Sequence, residues 1–436
     1  MRLFLTFDPL LRRNLIIFFS ASLCFWGGLA GMLPNLALYI KSFGASNQEV
    51  GWVMAAFAVG LLGFRPKMAR FVDSQGRKPA LLIGIAVIAL APLFYLGVSL
   101  LPNATITLPV WNWEMKSAVL LLAAVRAFHG LSVAAFATAY TASVADMAPP
   151  RHRGELISFM SLAAPTGMAM GPALGGYFKG SFTLAFVSMT AIGLLGTLCV
   201  LASKEPPRAA SLIEETDGKK LDGKEAAKPL FWRLLWTPSI RIPALILFMV
   251  GTAFGSMVAF VPLYVEEMAW DINIGLVFTV SAIASFSIRT FSGTASDQLG
   301  RGRFISLGLL FYTLSMFTLC LANSPSMLLL AGAFQGAGSG TTIPIIAALM
   351  TDRSRANERG LTFGLCLTGF DLGIALAGPI MGRIADVTSS YSSVFALAGS
   401  LTLLGLIIFI TTSSKDLSHS VRFALHGGRD VYAVKS

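Results

Sequence analysis

Twelve predominantly apolar stretches follow one another along this chain, separated by short polar turns. They run over about 14–40, 48–66, 79–101, 117–140, 155–178, 181–203, 239–264, 272–292, 304–322, 326–350, 361–385 and 391–412. Each is near the roughly 20 residues that an α-helix needs to cross hydrocarbon, so the pattern predicts twelve membrane spans. The run at 326–350 contains Gly336, Gly338 and Gly340 and is still read as one helix, because glycine is common in spanning helices. The first run follows Arg12 and Arg13. It is longer than a signal-peptide core and has no clear small-residue cleavage site, so it is expected to be retained.

Composition strengthens this reading. Hydrophobic residues make up 55% of 436 positions and charged residues 13%. Soluble domains carry about a quarter charged residues, so lipid is the expected solvent here. The net charge of +11 would suit nucleic acid. The basic residues, however, cluster in short loops between apolar runs, which fits membrane topology and no nucleic-acid partner. Cys24, Cys199, Cys320 and Cys366 each lie inside an apolar run and read as small buried hydrophobes. No Gly-x-x-x-x-Gly-Lys-Ser/Thr loop is present for an ATP-driven pump. His129, His152, His419 and His426 are too scattered for a metalloprotease cluster. Neither an enzyme, a metal nor a cofactor is expected.

Basic content alternates from loop to loop. One side holds Arg2, Arg12, Arg13, the segment 65–78, Arg151, Arg153, the segment 204–241, Arg301, Arg303, Arg353, Arg355, Arg359 and the tail. The other holds Lys41, Lys116, Lys179 and Arg383. The positive-inside rule then places both termini in the cytoplasm of a cell (inner or plasma) membrane protein. Residues 204–238 are rich in Lys, Glu, Asp and Ala and read as a solvated cytoplasmic linker. The expected organisation is a six-helix half at 1–203, the linker, a six-helix half at 239–412 and a cytoplasmic tail at 413–436.

A short pattern occurs twice. Arg65, Ala69, Asp73, Gly76 and Arg77 recur as Arg289, Gly293, Asp297, Gly300 and Arg301, always 224 residues on. Further along, Gly130, Asp146, Arg153 and Gly154 recur as Gly336, Asp352, Arg359 and Gly360, 206 residues on. The change of offset places 18 extra residues in the first half, in the outer loop around Trp111 to Glu114. Two homologous halves explain this register.

These residues resemble the major facilitator superfamily, whose members are parallel repeats of two six-span halves. The resemblance covers about 14–412. It implies an all-α integral membrane fold of two six-helix bundles related by pseudo-two-fold symmetry. The turn 69–78 resembles the family's loop signature, with Ala69 and Ser74 departing from it; the second copy keeps Gly293, Asp297, Gly300 and Arg301. Gly76 permits a turn closed to other residues, and Asp73 can accept bonds from Arg77 or a helix N-terminus. The pair of turns reads as a gate latch or as a topology-fixing feature only.

Arg126 to Gly130 resembles the Arg-x-x-x-Gly signature of proton-linked members. Arginine in hydrocarbon is costly, so Arg126 should face a cavity or a partner. His129 reads as a core residue or a titrating neighbour. Gly167, Gly171, Pro172, Gly175 and Gly176 match the antiporter signature Gly-x-x-x-Gly-Pro-x-x-Gly-Gly. Their shared face suits close helix packing or a moving interface. Asp371 stands about ten residues into its span, near mid-membrane at 1.5 Å per residue. An intramembrane carboxylate is a candidate proton carrier or cation contact, or else a structural hydrogen-bonding group. By the same resemblance Trp26, Asn35, Tyr140, Ser256 and Gln335 become candidate pathway residues.

The reading is a monomeric transporter with a small-molecule substrate and protons as partners, embedded in the lipid bilayer, exporting by antiport. A proton-coupled uptake symporter for a sugar or metabolite and a non-transporting receptor or scaffold stand as alternatives. A channel would leave the paired turns unexplained.

Overall fold

In the computed structural model, residues 8–108, 113–149, 153–178, 180–204, 236–355, 359–428 and 430–434 are described. Arg2, Trp111, Arg151, His152, Lys179 and most of the expected linker lie outside the described residues. The chain divides into two compact units. Unit 1 comprises Met1–Ile213 with Asn273–Thr279, and unit 2 comprises Glu214–Ile272 with Val280–Ser436.

Unit 1 begins with α1 (Pro9–Gly31) and α2 (Leu33–Ser42), which together occupy the first expected span. The span is not continuous. Pro34 has no N–H to give to the carbonyl four residues earlier, so the ladder re-forms through Leu36 N–H on Met32 O at 3.0 Å. Next come α3 (Asn47–Gln75) and α4 (Arg77–Val98). Ser46 starts α3 with a reciprocal cap: its hydroxyl accepts from Glu49 N–H and its own N–H donates to the Glu49 carboxylate. The long loop after α4 carries a feature absent from the sequence expectation. Strands β1 (Thr105–Leu108) and β2 (Trp113–Lys116) pair antiparallel.

The unit continues with α5 (Ser117–Met147), α6 (Arg153–Met160), α7 (Ala163–Tyr177) and α8 (Phe182–Ala202). The fifth expected span is therefore also split, at Ser161 and Leu162. Pro165 removes the amide that would have closed the turn on Ser161. The core of unit 1 gathers Leu15, Phe18, Phe25, Ile85, Phe136 and Tyr140. Phe25 and Phe136 stack with centroids 4.0 Å apart. On α8 the arrangement is inverted relative to a soluble protein. Leu194, Leu195, Leu198 and Leu201 are exposed, as expected where lipid is the solvent.

Unit 2 contains α9 (Pro238–Glu267), most of α10 (Gly275–Leu299), α11 (Arg301–Cys320), α12 (Pro325–Asp352), α13 (Arg359–Thr388), α14 (Tyr391–Thr412) and α15 (Leu417–His426). Helix α12 runs unbroken through Gly336, Gly338 and Gly340, as the sequence suggested. Helix α9 is buried along most of its length and packs against α13 and α14. The stretch read as a tail contains α15, which packs on α11 and α14. Among the described residues, nine helical segments are long and apolar enough to cross a membrane. The chain is a multi-pass membrane protein.

Candidate functional site

The duplicated turns take the same backbone form. Gly76 between α3 and α4 has φ 107°, and Gly300 between α10 and α11 has φ 97°. A side chain at either position would strain the backbone, which explains why glycine stands in both copies. Each turn sends its arginine to a carboxylate at the end of the next repeated element. Arg77 Nε lies 3.0 Å from Asp146 Oδ2, and Arg77 Nη1 donates to Val72 O at 3.2 Å. Arg301 grips Asp352 through Nε and Nη2, and its Nη1 lies 2.9 Å from Asp297 Oδ1. Asp73 is exposed beside its turn. Sequence reasoning offered Asp73 as an acceptor for Arg77 and missed Asp146 and Asp352, while Asp297 does stand beside Arg301. The signal was present, because Asp146 and Asp352 belong to the second repeated set.

A second missed residue is Arg353. Its side chain is 1% exposed and forms a two-pronged bond to Asp430, with Nε–Oδ2 2.7 Å and Nη2–Oδ1 3.0 Å. It also donates to Ser239 O at 2.9 Å and Ser413 O at 3.2 Å. One guanidinium thus joins the start of α9, the end of α12, the end of α14 and the C-terminal segment. Phe423 and Tyr432 present ring faces to the same cation at 5.7 and 5.1 Å. Val434 N–H adds a bond to Asp352 O at 2.9 Å.

Within unit 1, α5 brings Arg126 and His129 together. Arg126 is buried, with Nη1 3.4 Å from His129 Nδ1, and its guanidinium lies 4.5 Å from the Phe57 ring centre. The Tyr95 hydroxyl is also 3.4 Å from His129 Nδ1. Arg126 Nε has no hydrogen-bond partner among the described residues. The contacts described for this cation include no carboxylate. Among the contacts described, this buried charge meets an imidazole and a ring face, which is an expensive arrangement.

The glycine face of α7 packs on α1. A Cβ at Gly167 would stand 2.7 Å from Leu23 O, and one at Gly171 or Gly175 would overlap the backbone of Gly27 or Gly31. The signature glycines therefore form a close helix seam inside unit 1. Asn35 reinforces it by donating to Gly175 O at 2.7 Å, and Trp26 lies beside Gly167. On the other side of α7, Thr279 donates to Ala169 O at 2.7 Å and Asn273 to Ala173 O at 3.2 Å. Gly176 lies beside Asn273. Tyr140 donates to Met160 O at 3.0 Å, which ties α5 to the end of α6.

In unit 2, Asp371 sits on α13 and is 6% exposed. Helix α13 lies close against α9 there; a Cβ at Gly373 would stand 2.8 Å from Thr252 N. Gln335 on α12 is buried and accepts from the Ser281 hydroxyl of α10. Ser256 donates back to Thr252 O at 2.8 Å within α9. Arg126 thus belongs to unit 1, and Asp371 and Gln335 belong to unit 2.

Known proteins give this geometry a context. The chain is 24% identical to multidrug resistance protein 2 of Bacillus subtilis, covering 87% of this chain and 90% of that one. It is 25% identical to a multi-drug resistance efflux pump PmrA homolog of Lactococcus lactis, covering 87% and 92%. Among solved structures, an inward-facing bacterial homolog of the human lysosomal transporter Spinster matches with TM-score 0.69 at 14% identity, over 96% of this chain and 97% of that one. A D-xylose-proton symporter matches with TM-score 0.69 at 17% identity, over 93% and 99%. At such identities the structures report the fold alone. The sequence profile of the Major Facilitator Superfamily matches residues 17–293 and 271–423. With the repeated turns and the helical units they close, this establishes that the chain belongs to the Major Facilitator Superfamily of membrane transporters.

Proposed function

We propose that this transporter exports small organic molecules in exchange for protons, by alternating access. The observation that carries the reading is its similarity, over most of its length, to two relatives named for multidrug resistance and efflux. The match of Gly167, Gly171, Pro172, Gly175 and Gly176 to the antiporter signature supports the same direction.

In this reading Asp371 is the proton carrier. Protonation changes the charge of the pathway by one unit, so an inward proton gradient can reset an emptied carrier. Arg126 supplies a fixed positive charge, and His129 and Tyr95 hold its guanidinium in place. Trp26, Asn35 and Gln335 shape the pathway walls. Asp73, Gly76 and Arg77, with Asp297, Gly300 and Arg301, hold the cytoplasmic turns in the closed form of the gate and release them in the open form. The protein works as a monomer with both termini in the cytoplasm, and residues 204–238 tether halves that end at 203 and begin at 239.

The test is transport into proteoliposomes under an imposed pH gradient, with a panel of lipophilic cations and zwitterions. Uphill movement opposite to the proton flow is expected, with loss of gradient-driven flux in Asp371→Asn. Substrate accumulating in the same direction as protons, or full proton-driven flux in Asp371→Asn, would overturn the reading.

A further inference from the structure

Among the described residues, one face of helix α15 is packed inside the protein. Ser420, Phe423 and Ala424 are buried. This face is bolted down: Ser306 Oγ donates to Ala424 O at 3.1 Å, Arg303 Nε to Leu425 O at 2.9 Å, and Ser414 N–H to Ser420 Oγ at 2.9 Å. The fit against the neighbouring turn is close. A Cβ on Gly300 would stand 2.7 Å from Gly427 Cα, and both glycines have positive φ.

The other two faces are largely exposed and differ in character. At about 100° per residue, Leu417, Val421 and Leu425 form one stripe. Leu417 is 60% exposed and Leu425 45%. Arg422 and His426 lie one turn apart on the adjacent flank, and Lys415 stands just before the helix; all three are exposed. Asp416 keeps its negative charge as the N-cap, accepting from His419 N–H at 2.9 Å and facing the His419 ring, and Lys415 and Arg422 together outweigh it.

The depth of α15 in the bilayer is fixed from two sides. Spanning helix α14 ends at Thr412, five residues before Leu417, so the connection reaches at most about 18 Å even when extended. The hydrogen bonds from Arg303 and Ser306 come from the first turns of spanning helix α11. A short helix held at the ends of two spans, with an apolar stripe beside a basic flank, matches the physics of an interfacial helix.

We propose that this outer flank of α15 is a docking surface for an acidic phospholipid. The headgroup phosphate meets Lys415, Arg422 and His426, and the upper acyl chain covers Leu417, Val421 and Leu425. Because the opposite face of α15 is bonded to the turn at Gly300 and to the region of Arg353, lipid bound there steadies the second-half turn. The inference does not depend on the direction of transport or on the coupling ion.

The experiment uses the full chain. Single nitroxide labels at Leu417→Cys and Leu425→Cys, on a background with the native cysteines replaced by serine or alanine, are read in vesicles of phosphatidylcholine and phosphatidylglycerol. Both labels should be relaxed by oxygen and shielded from a water-soluble nickel chelate. Strong relaxation by the chelate would overturn the proposal and mark the stripe as a surface for a soluble protein or a second copy. In neutral detergent, added phosphatidylglycerol should raise the melting temperature more than phosphatidylcholine does. A Lys415→Gln, Arg422→Gln, His426→Gln variant should lose that difference. An undiminished difference in the variant, or an equal rise with inorganic phosphate, would also overturn it. Neither readout measures transport, so failure here and failure of the export reading are told apart.

Discussion

The two repeated turns reach the same backbone form and are secured in different ways. In the first half, Asn14 closes the end of the unit beside a partly exposed cation, the Lys78 ammonium, which donates to Leu201 O at 2.9 Å and Ser203 O at 2.6 Å. The Asn14 amide donates to Lys204 O at 2.7 Å and accepts from Lys204 N–H at 2.9 Å. Beside it stands Met147, 3.6 Å from the same amide. The position matching Met147 in the second half is Arg353, 206 residues on. A buried guanidinium is costly to leave alone in a low-dielectric setting, and acceptors with a counter-charge offset that cost. Ser239 O, Ser413 O and Asp430 provide them. The difference teaches that one apolar-to-cationic exchange makes the C-terminal segment part of the second unit.

The largest expected effect comes from breaking that arrangement. Asp430→Asn leaves Arg353 buried without its counter-charge, and removing one partner of a buried pair costs about 3–5 kcal/mol. Thermal unfolding in detergent should show a markedly lower midpoint. Arg353→Met combined with Asp430→Asn copies the first-half solution and should recover part of the loss. A double variant as unstable as Asp430→Asn alone would show that the charge pair is not what the segment provides.

A smaller effect distinguishes the turns themselves. Gly76→Ala places a side chain at φ 107° and ψ 171°, a region nearly confined to glycine, which costs about 1–3 kcal/mol. Gly300→Ala carries the same strain and also drives a methyl group toward Gly427. Gly300→Ala should therefore melt lower than Gly76→Ala. Equal midpoints would mean that the C-terminal segment yields without cost.

The smallest effect concerns the start of α15. The His419 amide, and then its ring, hold the Asp416 carboxyl below the usual carboxylate range. A depressed folded-state pKa gives stability that is present above the unfolded value and is lost as pH falls through the folded one. The cap should persist from neutral pH down through the ordinary carboxylate range and fail only below it. Hydrogen exchange at the first turn of α15 would check this, and fraying already near pH 6 would count against it.

Much of the candidate site could be read from the chain, and the reasons differ by residue. Gly76 and Gly300 were legible because positive φ leaves glycine little competition. Arg126 and Asp371 were legible because charge inside an apolar run is rare. The breaks at Met32 and at Ser161–Leu162 were not read, although Pro34 and Pro165 mark them, because hydropathy alone does not register a lost amide. The hairpin at Thr105–Lys116 was hidden by its shortness.

By itself the sequence determined the solvent, the duplication and the positions of the unusual charges. Those follow from local composition and spacing, which the bilayer turns directly into helices. The tertiary structure decided the partners. Arg77 reaches Asp146 across 69 residues and Arg353 reaches Asp430 across 77. No local pattern encodes which carboxylate a long flexible cation will find. That choice is made when packing brings helix ends together and excludes the water that would otherwise have satisfied each charge.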